Sequence, residues 1–327
     1  MMQAPRFWYR PPGLAARLLS PLGLIYAGAT ARRLARGVRF DPGVPVICVG
    51  NLTAGGTGKT PTVIALVERL RDRGVTAHVL TRGHGGTAEG PLRVDERRHG
   101  AAETGDEALL LSAFAPTWVA KDRAEGARAA VAAGAGALIL DDGFQDPALA
   151  VSLGIVVADA ERGFGNEFCI PAGPLREPVA TGLRRADLLL TVGAVEAQDR
   201  FTAWTDPTPP RIRAALEPLQ TGMDWRDTPY FAFAGIGAPE KFFATLRGLG
   251  ARLVHSEALS DHQPLTQALL TRLANDARAH GAQLVTTEKD AVRLPPAWRQ
   301  QVVTLPVRLV FTEAAALDAA LDRLFPA

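Results

Sequence analysis

Lys59 and Thr60 close a glycine-rich run, GNLTAGGTGKTPT at 50–62, that follows the apolar stretch VPVICV directly. This is the arrangement of a phosphate-binding loop. Backbone N–H groups at the start of a helix converge on an anion, and the helix dipole adds to the attraction. The lysine contacts the β- and γ-phosphates and the hydroxyl of the next residue ligates Mg²⁺. Thr53, Ala54, Gly55, Gly56, Thr57 and Gly58, with Lys59 and Thr60, are the candidate nucleotide contacts. One position departs from the usual G-x-x-x-x-G-K-[ST]: Thr53 stands where the first glycine is expected.

A second chemical signature is LILDDGFQ, an apolar run that ends in Asp141 and Asp142. An acid at such a strand end supports Mg²⁺ in phosphate-loop enzymes. Consecutive strand residues point to opposite faces, so one of the two is expected to touch the metal shell directly. Gly105-Asp106-Glu107 offers a base or a Mg²⁺ contact, or simply opens a helix. Asp261-His262 lies far along the chain. Arg82 and Arg123 are candidate phosphate contacts, although a surface ion pair is the commoner fate of an arginine. Lys289, in TTEKDA, is placed to reach an anion.

Parallel strands alternating with helices are what the pattern asks for to position these residues. Val46–Val49 reads as a buried strand. A helix at about 60–73 follows, with Val63, Leu66, Val67 and Leu70 at helical spacing and Gly74 as its stop. AHVLTR, TWVA, ALIL, VSLGIVVAD and ADLLLTVG read as further strands, with helices after GDE and through KDRAEGARAAVAAG. Such an alternation predicts an α/β fold: a parallel sheet flanked by helices, with ligands at the carboxyl ends of its strands. The glycine loop, Arg82, Lys121–Arg123 and Asp141–Asp142 all follow strands. Residues 204–230 hold five prolines and little periodicity, which marks a boundary to a second, smaller α/β domain. The expected division is 1–40, 41–210, 211–311 and 312–327, with RIRAALEPL and VVTLPVRLVF pairing as a two-stranded connector and the last helix returning to the first domain.

Composition is that of a globular chain: 327 residues, 47% hydrophobic and 21% charged, with a net charge of +2 that does not suggest a nucleic-acid binder. Two cysteines without metal spacing imply no disulfide framework and fit a reducing compartment. Residues 1–40 carry seven arginines and no acid, and they flank LLSPLGLIYAGATA, a stretch of 14 residues that Ser20, Pro21 and Gly23 interrupt. It is short for a spanning helix, which needs about 20 apolar residues. It suits either a helix packed on the domain or one lying in a membrane interface, its arginines on anionic headgroups.

Taken together, GNLTAGGTGKTP, LTRGHGG, TGDEALLL, LILDDGFQD, PAGPLREP, AFAGIGAPEKFF, SDHQP and TTEKDAVRL resemble the tetraacyldisaccharide 4′-kinase family of Gram-negative bacteria, in the family's order and across most of the chain. The family's loop also carries a non-glycine at its first position. The resemblance implies a phosphate-loop-NTPase-like sheet and transfer of the ATP γ-phosphate to the 4′-hydroxyl of a tetraacyldisaccharide 1-phosphate in lipid A synthesis. It implies ATP and Mg²⁺ as cofactors, and the lipid A precursor and the inner-membrane surface as partners. It implies a peripheral enzyme on the cytoplasmic face, and no protein partner. It favours the interfacial reading of the arginine-rich start.

Residue by residue, the same resemblance implies Lys59 and Thr60 as ATP and Mg²⁺ contacts, Asp106 as catalytic base and His262 as its partner; because His262 lies on the second domain, ATP- or lipid-driven closure is expected to bring it to Asp106. It implies Asp141 and Asp142 as the strand-end acids, with Glu107 and Gln145 close to Mg²⁺. Three positions depart from the family pattern: Asp146 and Gln263 replace histidines, and Gly86 replaces an arginine. A soluble small-molecule kinase and a phosphate-loop switch are the alternatives. The first needs no apolar, arginine-rich start. A metal-delivering switch would want Cys or His clusters that this chain lacks.

Overall fold

In the computed structural model, which describes residues 5–201, 209–226 and 228–326, the apolar runs become strands β1 (Val46–Gly50), β2 (Ala77–Thr81), β3 (Leu92–Arg93), β4 (Thr117–Val119), β5 (Ala137–Asp141), β6 (Leu153–Asp159), β7 (Leu188–Val192) and β8 (Arg211–Pro218). Every residue of β1, β2, β5, β6 and β7 is buried. A parallel sheet covered on both faces requires this, and it is why these strands read as unbroken apolar runs. Successive residues of one strand enter opposite layers: Ile47 and Val49 join Val63, Leu66 and Leu70 on one face, and Val46 and Cys48 join Leu138 and Leu140 on the other. Leu66 and Leu70 are fully enclosed, each worth about 1.5–3 kcal/mol of apolar burial.

The chain then forms β9 (Pro229–Ala234), β10 (Arg252–Ala258), β11 (Gln283–Thr287) and β12 (Val302–Leu305), and ends with β13 (Val307–Glu313) and the helix Ala315–Leu324. Among the described residues the strands make two sheets, β13-β8-β7-β6-β1-β5-β2-β4-β3 and β10-β9-β11-β12. The first is parallel apart from β3 and β13. The second is parallel throughout. The helix Pro239–Gly248 covers one face of it through Phe242, Phe243 and Leu246. The helix Gln267–Ala279 covers the other through Leu270, Leu273 and Ala277.

Two expectations need correction. RIRAALEPL and VVTLPVRLVF do pair, through β8 and β13, but they are not a separate connector. β8 also pairs with β7, so both strands extend the large sheet. The second run serves both sheets, because Pro306 divides it: β12 pairs with β11 and β13 with β8. The proline offers no N–H for a ladder, and its carbonyl accepts from Leu219 N at 2.9 Å. The proline-rich boundary at 204–230 lies partly outside the described residues.

The N-terminal arginine-rich segment is one helix, Leu14–Arg36, longer than its apolar stretch. Pro21 lies inside it and withholds the N–H that would bond Arg17 O. The Ser20 hydroxyl donates to that carbonyl instead, at 2.8 Å. Small residues Ala16, Gly23, Ala27 and Thr30 form its buried face, and a Cβ on Gly23 would come within 2.8 Å of Cys169 O. Leu14, Leu18, Leu22 and Ile25, spaced by four, four and three, face out at 80, 77, 53 and 69% exposure.

Candidate functional site

β1 lies between β5 and β6, so the loop after β1 and the acids after β5 emerge side by side at one edge. Thr53 needs no glycine geometry. It bridges Leu175 as extended backbone, and Ala54 N donates to Pro174 O at 2.7 Å. A threonine therefore stands there without strain. Gly55 and Gly58, at φ 117° and 94°, are the positions where the loop needs glycine. The helix Lys59–Asp72 starts directly after Gly58, putting Lys59 and Thr60 in its first turn. Asn51, fully buried, donates to Gly55 O and Thr57 Oγ1, both at 3.2 Å, and so braces the loop from beneath.

The two strand-end aspartates have opposite environments. Asp141 is 4% exposed and its Oδ1 has no hydrogen-bond partner. Burial pushes its carboxyl well above the usual range, and the charge of Glu107 adds to the shift. Asp142 takes a left-handed backbone, φ 53°, and pairs with Lys59 at 3.7 Å and Arg176 at 2.8 Å. Burial alone would raise its pKa, but Lys59 and Arg176 together hold it low. Gln145 donates to Asn51 O and Glu177 at 2.9 and 3.0 Å and accepts from Arg176 at 3.3 Å. Its polar atoms are thus committed to the loop's support.

Behind the acids, the guanidinium of Arg123 is buried and donates to the carbonyls of Asp141 and Asp142 at 3.2 and 2.9 Å. Asp146 supplies its counter-charge, Oδ2 lying 3.1 Å from Arg123 Nε and 3.0 Å from Arg82. Arg123 is therefore enclosed inside the protein. Asp146→Asn leaves that guanidinium without its charge partner and is expected to cost about 3 kcal/mol of stability, read from the urea midpoint. A change below about 0.5 kcal/mol, the range of an ordinary surface substitution, would show that the pair carries nothing.

Asp106 begins a short helix, Asp106–Ser112, after Gly105 at φ 85°. A Cβ on Gly105 would stand 2.5 Å from His84 O, which explains the glycine in T-G-D-E. Asp106 is 4% exposed and lies beneath His262, whose Nδ1–H donates to its Oδ2 at 2.9 Å. Lys289 donates to His262 Nε2 at 3.3 Å and to Glu107 at 3.1 Å. Burial opposes the charge on Asp106, but the His262 hydrogen bond with Lys289 and Arg293 holds its carboxyl below the usual range. That same bond raises His262 against its burial and against Lys289.

The second sheet supplies this partner. His262 sits at φ 57° with its N–H on Gly235 O. Arg293 holds the turn through Gln263 O and the buried Asp290. Gln263 closes the turn itself, its Oε1 accepting from Ser260 N at 3.0 Å. Asp106 and His262 need no closure to meet, since they are joined in this structure. Gly86 lies so near Glu103 O, 2.4 Å from where its Cβ would be, that a side chain is excluded there. Asn51, Arg176, Glu177, Arg185, whose guanidinium pairs with Glu177 at 2.6 Å, and Arg293 carry this site without having been singled out from the sequence. For Asn51, Arg176, Glu177 and Arg293 the signal was present, since GNLTAGGTGKTP, PAGPLREP and TTEKDAVRL were among the shared motifs.

The family model for tetraacyldisaccharide-1-P 4′-kinase matches residues 15–326. The chain belongs to the tetraacyldisaccharide 4′-kinase family. It is similar to the 4′-kinase of Dinoroseobacter shibae, with 62% identity over 99% of this chain and 98% of that one. It is also similar to that of a Jannaschia species, with 60% identity over 99% of both. The LpxK of Aquifex aeolicus, solved in complex with ATP, superposes with a TM-score of 0.76 at 25% identity, over 95% of this chain and 100% of that one. The parallel sheet flanked by helices is thus the fold of a phosphate-loop kinase, and the activity is 4′-phosphorylation of the tetraacyldisaccharide in lipid A synthesis.

Proposed function

We propose that ATP lies on residues 53–60, that Asp106 is the general base, and that the enzyme works from the membrane surface through its N-terminal helix. The observation that carries the base assignment is the buried Asp106–His262 pair at 2.9 Å, at the edge where the glycine loop ends. Asp106 takes the proton of the 4′-hydroxyl. The sugar oxygen then bonds to the γ-phosphorus as its bond to the β–γ bridging oxygen breaks, and ADP leaves. His262 holds the carboxylate in its charged form until that step. Lys59 stabilises charge on the β- and γ-phosphates.

The acids suit Mg²⁺. Asp141 Oδ1 is a buried oxygen with no partner, and a cation would satisfy it. Among the described residues no three His, Cys, Asp or Glu side chains cluster as a metal cage. That agrees with an ion that takes one or two carboxylates and completes its shell from phosphate and water. Asp141, Asp142 and the Thr60 hydroxyl are the holders. Glu107 is held by Lys289 and Gln145 by Asn51 and Arg176, so both stand behind these three. When bound, the ion neutralises charge on the transferring phosphate.

The helix Leu14–Arg36 is long and apolar enough to cross a membrane. Two features favour lying on it. One face is packed on the protein through Gly23, and Arg17, Arg32 and Arg33 bracket an apolar stretch of 14 residues, shorter than the ~20 a span needs. Replacing Leu14, Leu18, Leu22 and Ile25 with serine is expected to move the protein from the membrane to the soluble fraction. Undiminished sedimentation with membranes would sink the assignment.

The deciding assay follows labelled γ-phosphate from ATP to tetraacyldisaccharide 1-phosphate in detergent micelles. Label at the 4′ position with the native protein and none with Asp106→Asn supports the roles given. Full transfer by the variant removes Asp106 from the mechanism.

A further inference from the structure

Lys289 reaches the Asp106–His262 pair from the second sheet, and the residues around it fix where it stands. β11 ends at Thr287, whose hydroxyl accepts from Asp290 N at 3.1 Å and so opens the single helical turn Glu288–Ala291. Asp290 is fully buried, and both of its oxygens accept from Gly235 N at 3.1 Å. The Gly235 carbonyl accepts in turn from His262 N at 3.1 Å. The turns that carry Lys289 and His262 are thus tied to the same glycine, which holds the two side chains together.

Donor and acceptor counting then decides the state of the ring. An ammonium only donates. Lys289 Nζ stands 3.3 Å from His262 Nε2, so that nitrogen offers its lone pair. A carboxylate only accepts, so the ring proton is on Nδ1, 2.9 Å from Asp106 Oδ2. The other oxygen of Asp106 accepts from Glu107 N at 3.0 Å. Lys289 is held as a cation: burial opposes its charge, but Glu107, which it meets at 3.1 Å, Asp106 and Asp261 together keep its pKa above the usual value. The anion expected of Lys289 is therefore Glu107. Asp261 competes for the ring, its Oδ1 lying 3.7 Å from Nε2, where it would accept from an imidazolium. Arg293 Nε lies 3.9 Å from Asp106 Oδ2, and the His84 ring centre 6.1 Å from that of His262. The ammonium is the nearest of these groups to Nε2.

We infer that Lys289 is a positioning residue of the phosphoryl transfer: its ammonium occupies the Nε2 lone pair of His262, leaving that ring a neutral donor to Asp106 and Asp106 the group that takes the hydroxyl proton. The inference rests on Asp106 as the base and adds what keeps His262 from competing with it. With Nε2 open, the imidazole would itself accept protons. As an imidazolium it would draw on the Asp106 charge and weaken it as a base.

The test follows ¹⁵N-labelled histidine by NMR through a pH titration of the full chain, with His262 assigned by its loss in His262→Gln, beside kinase kinetics. Above its midpoint the native ring is expected to be protonated on Nδ1 and bare on Nε2. Lys289→Met removes the cation that opposes ring protonation, so the His262 midpoint moves up. Near neutral pH kcat falls about 10-fold, the worth of one hydrogen bond to a charged group. It recovers as pH rises through the new midpoint, and KM for ATP stays constant. Lys289→Arg keeps the charge and returns the midpoint toward the native value. An unmoved midpoint in Lys289→Met overturns the inference, as does a kcat deficit that persists at every pH. A raised KM for ATP with the ring unaffected also overturns it, giving Lys289 to the phosphates. A native ring protonated on Nε2 above its midpoint overturns it without any substitution at Lys289. Full turnover by Asp106→Asn would instead strike the base assignment, and the His262 titration is read independently of that result.

Discussion

Asp106→Asn is expected to lower kcat for lipid phosphorylation about 10³-fold, within the range for loss of a general base, with KM for ATP nearly unchanged. The substitution is isosteric. The amide oxygen still accepts from His262 Nδ1, so the turn that carries His262 stays in place and only the proton acceptor is removed. Retention of more than about a tenth of the native kcat would be too small a loss for a general base. His262→Ala asks the complementary question. In the native protein burial works against the Asp106 charge, and the hydrogen bond from His262, with Lys289 and Arg293, more than offsets it. Without the imidazole the carboxyl remains buried and loses its closest donor, so its pKa rises. The charged form then persists only at higher pH, and the acid limb of the kcat–pH profile moves toward neutrality. A limb that stays in place would mean that His262 does not hold the base.

Lys59→Ala is the second large effect. Kinase activity is expected to fall about 10²–10³-fold, the scale for removing one preorganised donor from a transferring charge, and ATP binding weakens with it. The fold should survive, because the loop's shape depends on Asn51, the Thr53–Leu175 bridge and the two left-handed glycines. Asp142 loses one cation and keeps Arg176 at 2.8 Å. Lys59→Arg restores little, since a planar fork does not replace a compact ammonium. Calorimetric ATP binding and turnover that both match the native protein would take the loop out of the mechanism.

Local signals made the large sheet and half of the site legible. The glycine loop and the strand-end acids each follow an apolar run, and chain connectivity alone places them on one edge. β10 was not legible. It is an edge strand, exposed or half-buried along its length, so RLVHSEA shows no apolar stripe. The double use of the run around Pro306 was hidden for a related reason: one apolar stretch looks the same whether it serves one sheet or two. Arg176 and Arg185 act on Asp142 and on Phe144 O, partners that only the tertiary fold brings near. Arg123 illustrates the limit best. Nothing in its neighbourhood along the chain distinguishes a surface arginine from one enclosed behind the backbone carbonyls of Asp141 and Asp142.

The far edge of the kinase sheet belongs to the last strand of the chain. β13 pairs with β8, and the helix after it docks on the helix of the glycine loop, Arg73 meeting Asp318 at 3.1 Å across 245 residues of sequence. The helix Leu14–Arg36 leaves the ribosome well before the strand that finishes the sheet. During synthesis the exposed leucine face of that helix is therefore presented while the catalytic domain is still unfinished, and such distant pairings are slow to form. Translation order thus completes that apolar face before the chain becomes an enzyme.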